Sequence, residues 1–213
     1  MQRASFWNVS IKSMSRLVET IKISNGRIFH LDLHNNRCRL ARKELFGIED
    51  KLDLKKFISI PADQKKGLYK CRICYSDQIH SVSIEPYSLR YIGNVKLIYD
   101  DAISYDYKFE NREQLDRLFA QRDTSDEVLI VKNGYFTDSY YYNLVFQKHH
   151  QFITPRKPLL CGTQRQYLLN RSRIFEGDVT PNQLWSYDKI HFINALTPLG
   201  KLSLDIASKH IIT

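Results

Sequence analysis

Apolar and polar residues alternate with two periods along the chain, and these periods predict its strands and helices. Alternation from Leu17 to Ile23, followed by Asn25-Gly26, predicts a β-hairpin, because Asn and Gly tolerate the positive φ of a tight turn. Helical spacing after Asp32, with Gly47 as the stop, predicts a capped helix. The same criteria predict strands near residue 73 and over 81–85, 94–99, 127–131, 143–147 and 190–193, and helices over 54–58, 111–121 and 163–169.

The order of these elements predicts the fold class. A hairpin and helices precede Pro86, whereas strands with two helices follow it. This order is typical of an α+β or mixed α/β fold with two lobes. We therefore predict a small N-terminal α/β lobe over residues 1–85 and a larger, strand-rich C-terminal lobe over residues 86–213.

Composition narrows the classes of partner. Of 213 residues, 43% are hydrophobic and 26% charged, as in globular proteins. The net charge of +9 is scattered, with no run longer than a pair such as Lys65-Lys66, which disfavours a nucleic-acid interface but suits anionic substrates. No apolar run approaches the ~20 residues of a membrane helix, and residues 1–15 lack a signal-peptide core. We expect a cytoplasmic protein with no membrane partner.

The four cysteines predict no metal site. Cys71 and Cys74 form a C-x-x-C pair within a predicted strand, where residues three apart point to opposite faces and cannot share a zinc ion. No second pair completes a ligand set. We expect reduced, structural thiols.

Three segments of the second lobe carry candidate chemistry. Lys108 precedes an amphipathic helix, the segment 134–146 contains Thr-Asp-Ser and Asn-Leu-Val-Phe, and Thr154-Pro155 leads to Gly-Thr-Gln-Arg at 162–165. Singly, they are typical of a surface lysine, a turn and a helix cap. In this order they resemble the class IV aminotransferase pattern of a cofactor-bearing lysine, Thr-Glu-Gly…Asn-Leu-Phe, Thr-Pro and Gly-Ile-Thr-Arg.

The resemblance extends over residues 17–199. Val18-Glu-Thr-Ile21 is similar to the family's Phe-Glu-Thr-Ile strand, and His34-Asn-Asn-Arg37 to its His-x-x-Arg-Leu helix. Two further matches resemble the aminodeoxychorismate lyases of the family, namely Lys108-x-x-Asn-Arg112 and Asn194-Ala-Leu-Thr-Pro198.

The resemblance implies pyridoxal 5′-phosphate as the cofactor, in a two-lobed enzyme of fold type IV. Lys108 would bind it covalently, and Asp138, at the family's Glu position, would keep the pyridine nitrogen protonated. Arg37 and the backbone amides of Thr163 and Gln164 would bind the phosphate. Asn143, Asn194 and Ala195 complete the expected cofactor site, and the expected catalytic residues are Lys108, Asp138 and Thr20.

Plainer roles stay open for some of these residues. Arg37 could be an exposed helix residue, Asn194 could satisfy a buried loop, and Thr20 could be a strand residue without a chemical role. The chain also departs from the family pattern. Asp138 is one methylene shorter than Glu, Ser139 replaces a glycine, and only residues 1–16 precede the Phe-Glu-Thr-Ile position. These departures concern the substrate more than the cofactor.

The resemblance implies a reaction on a small anionic, amino-acid-like substrate. The first hypothesis is an aminodeoxychorismate lyase that releases 4-aminobenzoate and pyruvate for folate synthesis. The alternatives are a transaminase for branched-chain or D-amino acids and a non-catalytic relative that binds the cofactor. Family members are homodimers, so we expect a homodimer in which the aromatic run Tyr140 to Tyr142 helps to wall the site.

Overall fold

The computed structural model describes residues 16–212, and these residues form two units. The first unit contains residues 16–88 and 107–111, and the second contains residues 89–106 and 112–212. The sequence suggested a single boundary at Pro86, whereas the chain enters the first unit a second time with the segment that carries Lys108. The expectation about a signal peptide concerns residues 1–15, which lie outside the described residues.

The first unit is built on four antiparallel strands, β1 (Leu17–Ser24), β2 (Arg27–Ile28), β3 (Leu68–Tyr75) and β4 (Ile79–Pro86). Their spatial order is β2-β1-β3-β4, and β1 pairs with β3 along its whole length. The predicted hairpin is confirmed, because Asn25 and Gly26 connect β1 to β2 with φ of 49° and 74°.

Helix α1 (Leu31–Phe46) covers one face of this sheet. Leu17, Ile21 and Ile23 of β1 share a buried core with Cys38 and Leu45 of the helix. The predicted stop is confirmed, since Gly47 has a φ of 71° and donates its backbone N–H to the last turn of α1. The predicted N-cap was wrong. His30, in the left-handed region, precedes the helix, and Asp32 lies in its first turn, where a carboxylate suits the positive end of the helix dipole. Two 3₁₀ helices follow, Leu54–Phe57 and Ala62–Gln64.

The second unit contains nine of the described strands, in two sheets. In chain order they are β5 (Val95–Tyr99), β6 (Glu127–Lys132), β7 (Tyr135–Phe136), β8 (Asn143–Lys148), β9 (Gln151–Pro155), β10 (Phe175–Gly177), β11 (Lys189–Ile193), β12 (Ser203–Asp205) and β13 (Ile211–Ile212). One sheet has the order β13-β5-β6-β7, and the other has the order β10-β9-β8-β11-β12. Leu97 and Leu129 of the first sheet pack in one core with Phe146 and Phe192 of the second.

Two short helices belong to the second unit, α2 (Glu113–Ala120) and α3 (Thr163–Leu169), with a 3₁₀ helix over Pro181–Ser186. Leu115 and Leu118 bury one face of α2, and Leu168 of α3 packs with Val145 and Ile193. No helix within residues 16–212 is both long and apolar enough to span a membrane.

The predicted fold class is confirmed, since strands and few helices make a mixed α+β structure. The sequence criteria missed five short strands, β7, β9, β10, β12 and β13. Two of them pair with strands that are distant in sequence: β10 lies parallel to β9, and β13 lies parallel to β5. The four cysteines are free thiols, three of them buried and Cys161 exposed.

Candidate active site

The residues expected to form the site fall in both units. Thr20, Arg37 and Lys108 belong to the first unit, and the other expected residues belong to the second.

Backbone pairing fixes the position of Lys108 in the first unit. Strand β2 pairs only with the last residues of β1, so the Leu17 end of that edge accommodates another segment. The Val18 N–H donates to the Lys108 carbonyl at 2.9 Å, and Leu17 forms an antiparallel bridge with Phe109. The Glu110 N–H donates to the Arg16 carbonyl at 2.8 Å. The backbone of Lys108 and of the two residues that follow it is therefore bonded to the start of β1 and to Arg16 before it.

The buried carboxylate of Glu19 contacts two side chains of α1, those of His34 and Arg37. Glu19 lies on β1 and is fully buried. Arg37 donates from Nε to Oε1 at 2.8 Å and from Nη2 to Oε2 at 2.5 Å, and His34 Nδ1 lies 2.5 Å from Oε2. His34 and Arg37 are three residues apart and so project from the same helix face. Their arrangement is a bidentate ion pair supported by a histidine.

The protonation states of this cluster follow from its surroundings. Burial alone would raise the pKa of Glu19, but the Arg37 charge and the hydrogen bonds from His34 and Arg37 outweigh it and lower this pKa to about 2. Burial lowers the pKa of His34 more than its bond to Glu19 raises it, and the charges of Arg37 and Lys108 lower it further. At neutral pH the cluster therefore contains a carboxylate, a guanidinium and a neutral imidazole, with the Lys108 charge near enough to act on the imidazole.

Thr20 lies on the opposite face of β1 from Glu19, because side chains alternate along a strand. It is half-buried and stands opposite Arg72 of β3. The structure therefore brings Glu19, and not Thr20, to Arg37.

In the second unit, Asp138 is a buried carboxylate with few donors. Its Oδ1 accepts from Asn143 Nδ2 at 2.7 Å, and its Oδ2 accepts from the Leu160 N–H at 2.9 Å. Burial raises its pKa to about 6, although Asn143, the Leu160 amide and the Arg165 charge act in the opposite direction. The ionised form is therefore poorly compensated, and a cationic N–H donor would stabilise it.

Asn143 connects this carboxylate to the segment before α3. Its amide nitrogen donates both to Asp138 and to the Leu160 carbonyl, at 2.8 Å. Gly162 follows two residues later, and Thr163 and Gln164 at the start of α3 are buried. Asn143 of the second sequence motif and Leu160 of the third, 17 residues apart in the chain, thus meet through one amide side chain.

The last expected segment forms a tight turn after β11. Asn194 Oδ1 accepts from the backbone N–H groups of Leu196 and Thr197, each at 2.9 Å, and Asn194 Nδ2 donates to the Tyr141 carbonyl at 3.3 Å. Ala195 lies within this turn and is half-buried. Asn194 therefore holds the turn beside the aromatic run that follows Asp138.

These residues fit the chemistry of pyridoxal phosphate. The protonated pyridine nitrogen is a cationic N–H donor of the kind that the Asp138 carboxylate lacks. The phosphate requires a cation with donors to spare, and Arg37 directs only two of its five N–H groups at Glu19. Lys108 supplies an amine on a backbone held in place.

A cavity of about 400 Å³ opens in the second unit near the Asp138 segment. Its lining includes Thr137 and Leu159, the residues before Asp138 and Leu160, together with apolar Phe136 and Val179. Asp138 itself does not line the cavity.

Comparison with known proteins agrees with this chemistry. Residues 112–203 match the model of the amino-transferase class IV family, a span that contains Asp138 but begins after Lys108. An uncharacterized protein of Haemophilus influenzae is 33% identical over 188 residues, which are 87% of this chain and the whole of that protein. A solved Haemophilus somnus structure, whose name proposes a 4-amino-4-deoxychorismate lyase, is 32% identical with a TM-score of 0.82, over 87% of this chain and 98% of that one.

The fold recurs in a more distant structure with the cofactor bound. A hypothetical aminotransferase of Mycobacterium tuberculosis in its PLP-bound form has a TM-score of 0.71 at 16% identity, over 92% of this chain and 83% of that one. Fold and comparisons define a pyridoxal-phosphate-dependent enzyme. The chain belongs to the class IV aminotransferase family.

Two buried charged residues were not singled out from the sequence. Glu19 interrupts the core-facing series of Leu17, Ile21 and Ile23, and a charged residue at such a position is a signal that could have been used. Glu127 opens β6, and its Oε1 accepts from the N–H groups of Val128 and Tyr140 at 3.0 and 3.1 Å. Its position at the start of a strand gave no such signal.

Proposed function

We propose that this enzyme is a lyase that converts 4-amino-4-deoxychorismate to 4-aminobenzoate and pyruvate, a step of folate synthesis. The observation that carries the proposal is the 32% identity to the Haemophilus somnus protein over 98% of its length, since the name of that protein proposes this activity. The motifs Lys108-x-x-Asn-Arg112 and Asn194-Ala-Leu-Thr-Pro198 support it, because both resemble the lyases of the family.

The proposal assigns a role in cofactor binding to each residue of the expected cofactor site. Lys108 binds the cofactor covalently, Asp138 holds a proton at the pyridine nitrogen by its charge, and Arg37 binds the phosphate. Thr163, Gln164 and Ala195 contribute backbone amides to the phosphate. Asn143 orients the Asp138 carboxylate, to which it is bonded at 2.7 Å, and Asn194 holds the turn that contains Ala195.

When bound, the cofactor withdraws electrons from the carbon atom that carries the substrate amine. The Lys108 amine would accept and return the proton at that carbon. Thr20 is the third catalytic residue of the proposal, on the basis of its motif alone. The positive charge of the chain favours an anionic substrate.

A spectroscopic experiment separates the lyase from the transaminase. We expect the holoenzyme to release 4-aminobenzoate and pyruvate from 4-amino-4-deoxychorismate, with the cofactor spectrum recovered after each turnover. A transaminase for branched-chain or D-amino acids would instead convert its cofactor to pyridoxamine phosphate with an amino acid alone. That conversion without 4-aminobenzoate release would overturn the lyase proposal. Cofactor binding without either reaction would indicate a non-catalytic relative.

A further inference from the structure

Arg37 is held by the carboxylate of Glu19, which is buried on an apolar face of β1. The neighbours of Glu19 on the same face of β1 are Leu17 and Ile21, both fully buried and apolar. A buried ion pair rarely stabilises a fold more than apolar residues of the same volume would, because both charges lose their hydration. Stability alone therefore gives a weak account of the Glu19–Arg37 pair.

The hydrogen bonds from Arg37 to Glu19 fix the orientation of the Arg37 guanidinium group. The carboxylate engages Nε and Nη2 in a bidentate bond, so the plane of the guanidinium is set and Nη1 points away from Glu19. The Arg37 side chain is 19% exposed, whereas those of Glu19 and His34 are fully buried. Arg37 is thus partly exposed, while its Nε and Nη2 atoms are held by Glu19.

His34 fixes the carboxylate in turn. Because ionised Glu19 can only accept hydrogen bonds, Nδ1 of His34 must carry the proton that lies between them. The imidazole is neutral, so it adds a donor without adding a second charge to the cluster. His34 and Arg37 therefore share one carboxylate, and both are held on the same helix face.

Lys108 belongs to the same neighbourhood within the first unit. Its carbonyl accepts from Val18, the residue before Glu19, and its charge acts on His34. The residue proposed to bind the cofactor covalently and the residue proposed to bind the phosphate are thus organised around one short stretch of β1.

We infer that Glu19 and His34 are positioning residues, which hold the Arg37 guanidinium in the orientation that receives the cofactor phosphate. The inference rests on the proposed cofactor site and extends it to two residues that contact Arg37 and not the reacting atoms. It requires that loss of the Glu19–Arg37 hydrogen bonds weaken the binding of the phosphate group more than the binding of the rest of the cofactor.

Comparison of pyridoxal phosphate with pyridoxal tests this requirement without measuring activity. The full-length protein is stripped of cofactor, and the dissociation constants of both compounds are measured by absorbance titration. The dissociation constant of pyridoxal divided by that of pyridoxal phosphate reports how much the phosphate contributes to binding. We expect Glu19→Gln to lower this ratio about tenfold or more, as for loss of a charge-assisted positioning contact, and to change pyridoxal binding about twofold or less. We expect His34→Gln to lower the ratio by a smaller factor.

Matched variants separate the inference from the proposed site. Asp32→Asn and Arg39→Gln remove exposed charges from the same helix and should leave the ratio unchanged. Arg37→Gln should lower the ratio at least as much as Glu19→Gln. If Arg37→Gln lowers the ratio and Glu19→Gln does not, the positioning inference is wrong. If neither variant lowers it, the proposed phosphate role of Arg37 fails.

A second substitution covers the case in which Glu19→Gln does not fold. Glu19→Asp keeps the charge and shortens the side chain by one methylene, so the bidentate contact with Arg37 cannot be kept at its present length. We expect a folded variant with a ratio between those of the unmodified protein and Arg37→Gln. A ratio equal to that of the unmodified protein would overturn the inference.

Discussion

Gly162 approaches the side chain of Asn143 so closely that a Cβ atom at position 162 would lie 2.0 Å from Asn143 Oδ1. Gly162 has a φ of −69°, so any residue could adopt its backbone conformation, and the constraint is one of space alone. The glycine therefore allows Asn143 to stay bonded to Asp138 and to the Leu160 carbonyl.

We expect Gly162→Ala to displace Asn143 and to leave Asp138 without its side-chain donor. The cost should be about 1–3 kcal/mol of the free energy of unfolding, measured by denaturant titration, with weaker binding of pyridoxal phosphate. Asn143→Ala removes every side-chain atom in the clash, so Gly162→Ala should cost little in that background. An equal cost in both backgrounds would show that the clash with Asn143 is not the cause.

Borohydride reduction of the holoenzyme should leave the cofactor on Lys108. The pairing of this segment with β1 holds the lysine in place, and the motif order assigns it the covalent role. Peptide mass spectrometry should find the reduced adduct at residue 108, and Lys108→Arg should abolish it. An adduct at another lysine would refute the assignment.

Asp138→Asn should retain the covalent cofactor and lose activity by roughly 10²-fold or more, because an amide cannot hold the pyridinium proton by charge. The loss should appear in kcat, with secondary structure unchanged by circular dichroism. Asp178→Asn, at an exposed aspartate paired with Arg156, provides the control. Near-normal turnover in Asp138→Asn would exclude Asp138 as the partner of the ring nitrogen.

Glu127 should make the protein less stable as the pH rises. Burial raises its pKa from 4.5 to about 7, so between these values the folded state binds more protons than the unfolded state. Its contribution therefore falls with rising pH across this range and reaches a destabilisation of about 3 kcal/mol above pH 7. Glu127→Gln mimics the protonated form and keeps an Oε1 acceptor for Val128 and Tyr140. The variant should gain stability over the unmodified protein at pH 8 and not at pH 4, by thermal denaturation. A gain that does not depend on pH would contradict this origin.

We also propose a homodimer, which sedimentation can test. Tyr141 is 38% exposed in the single chain, whereas Tyr142 lies in the core of the second unit. Arg90 stacks over the Tyr141 ring at 4.3 Å, so a partner that covers this surface would bury a cation and an aromatic ring together. We expect a dimer at micromolar concentration. A stable monomer with full activity would contradict the idea that the partner completes the site.

Local signals in the sequence predicted most elements of the fold. The Asn25-Gly26 turn, the Gly47 stop and the bounds of α3 all depend on backbone preferences that single residues carry. The short strand β10 could not be predicted in this way, because its three residues acquire their hydrogen bonds from β9, about twenty residues earlier in the chain. A strand of three residues is too short to show the alternation of apolar and polar residues by which strands are predicted.

The candidate site was predictable in its motifs and not in its contacts. The order of Lys108, Asp138 and Gly162 indicated the family, but nothing in the sequence showed that Gly162 makes room for Asn143. Likewise, the Val-Glu-Thr-Ile motif predicted a role for Thr20. In the structure it is Glu19, on the other face of the strand, that contacts Arg37 of the helix packed there.

The return of residues 107–111 to the first unit means that the chain crosses between its units three times, after residues 88, 106 and 111. A single recombination point therefore cannot exchange one intact unit for that of a relative. A gene fragment that starts at residue 89 would encode Lys108 without the strand whose Val18 N–H anchors it. Inheritance of Lys108 is thus tied to inheritance of the N-terminal sheet, and recombination of this gene with that of a relative would have to move both together.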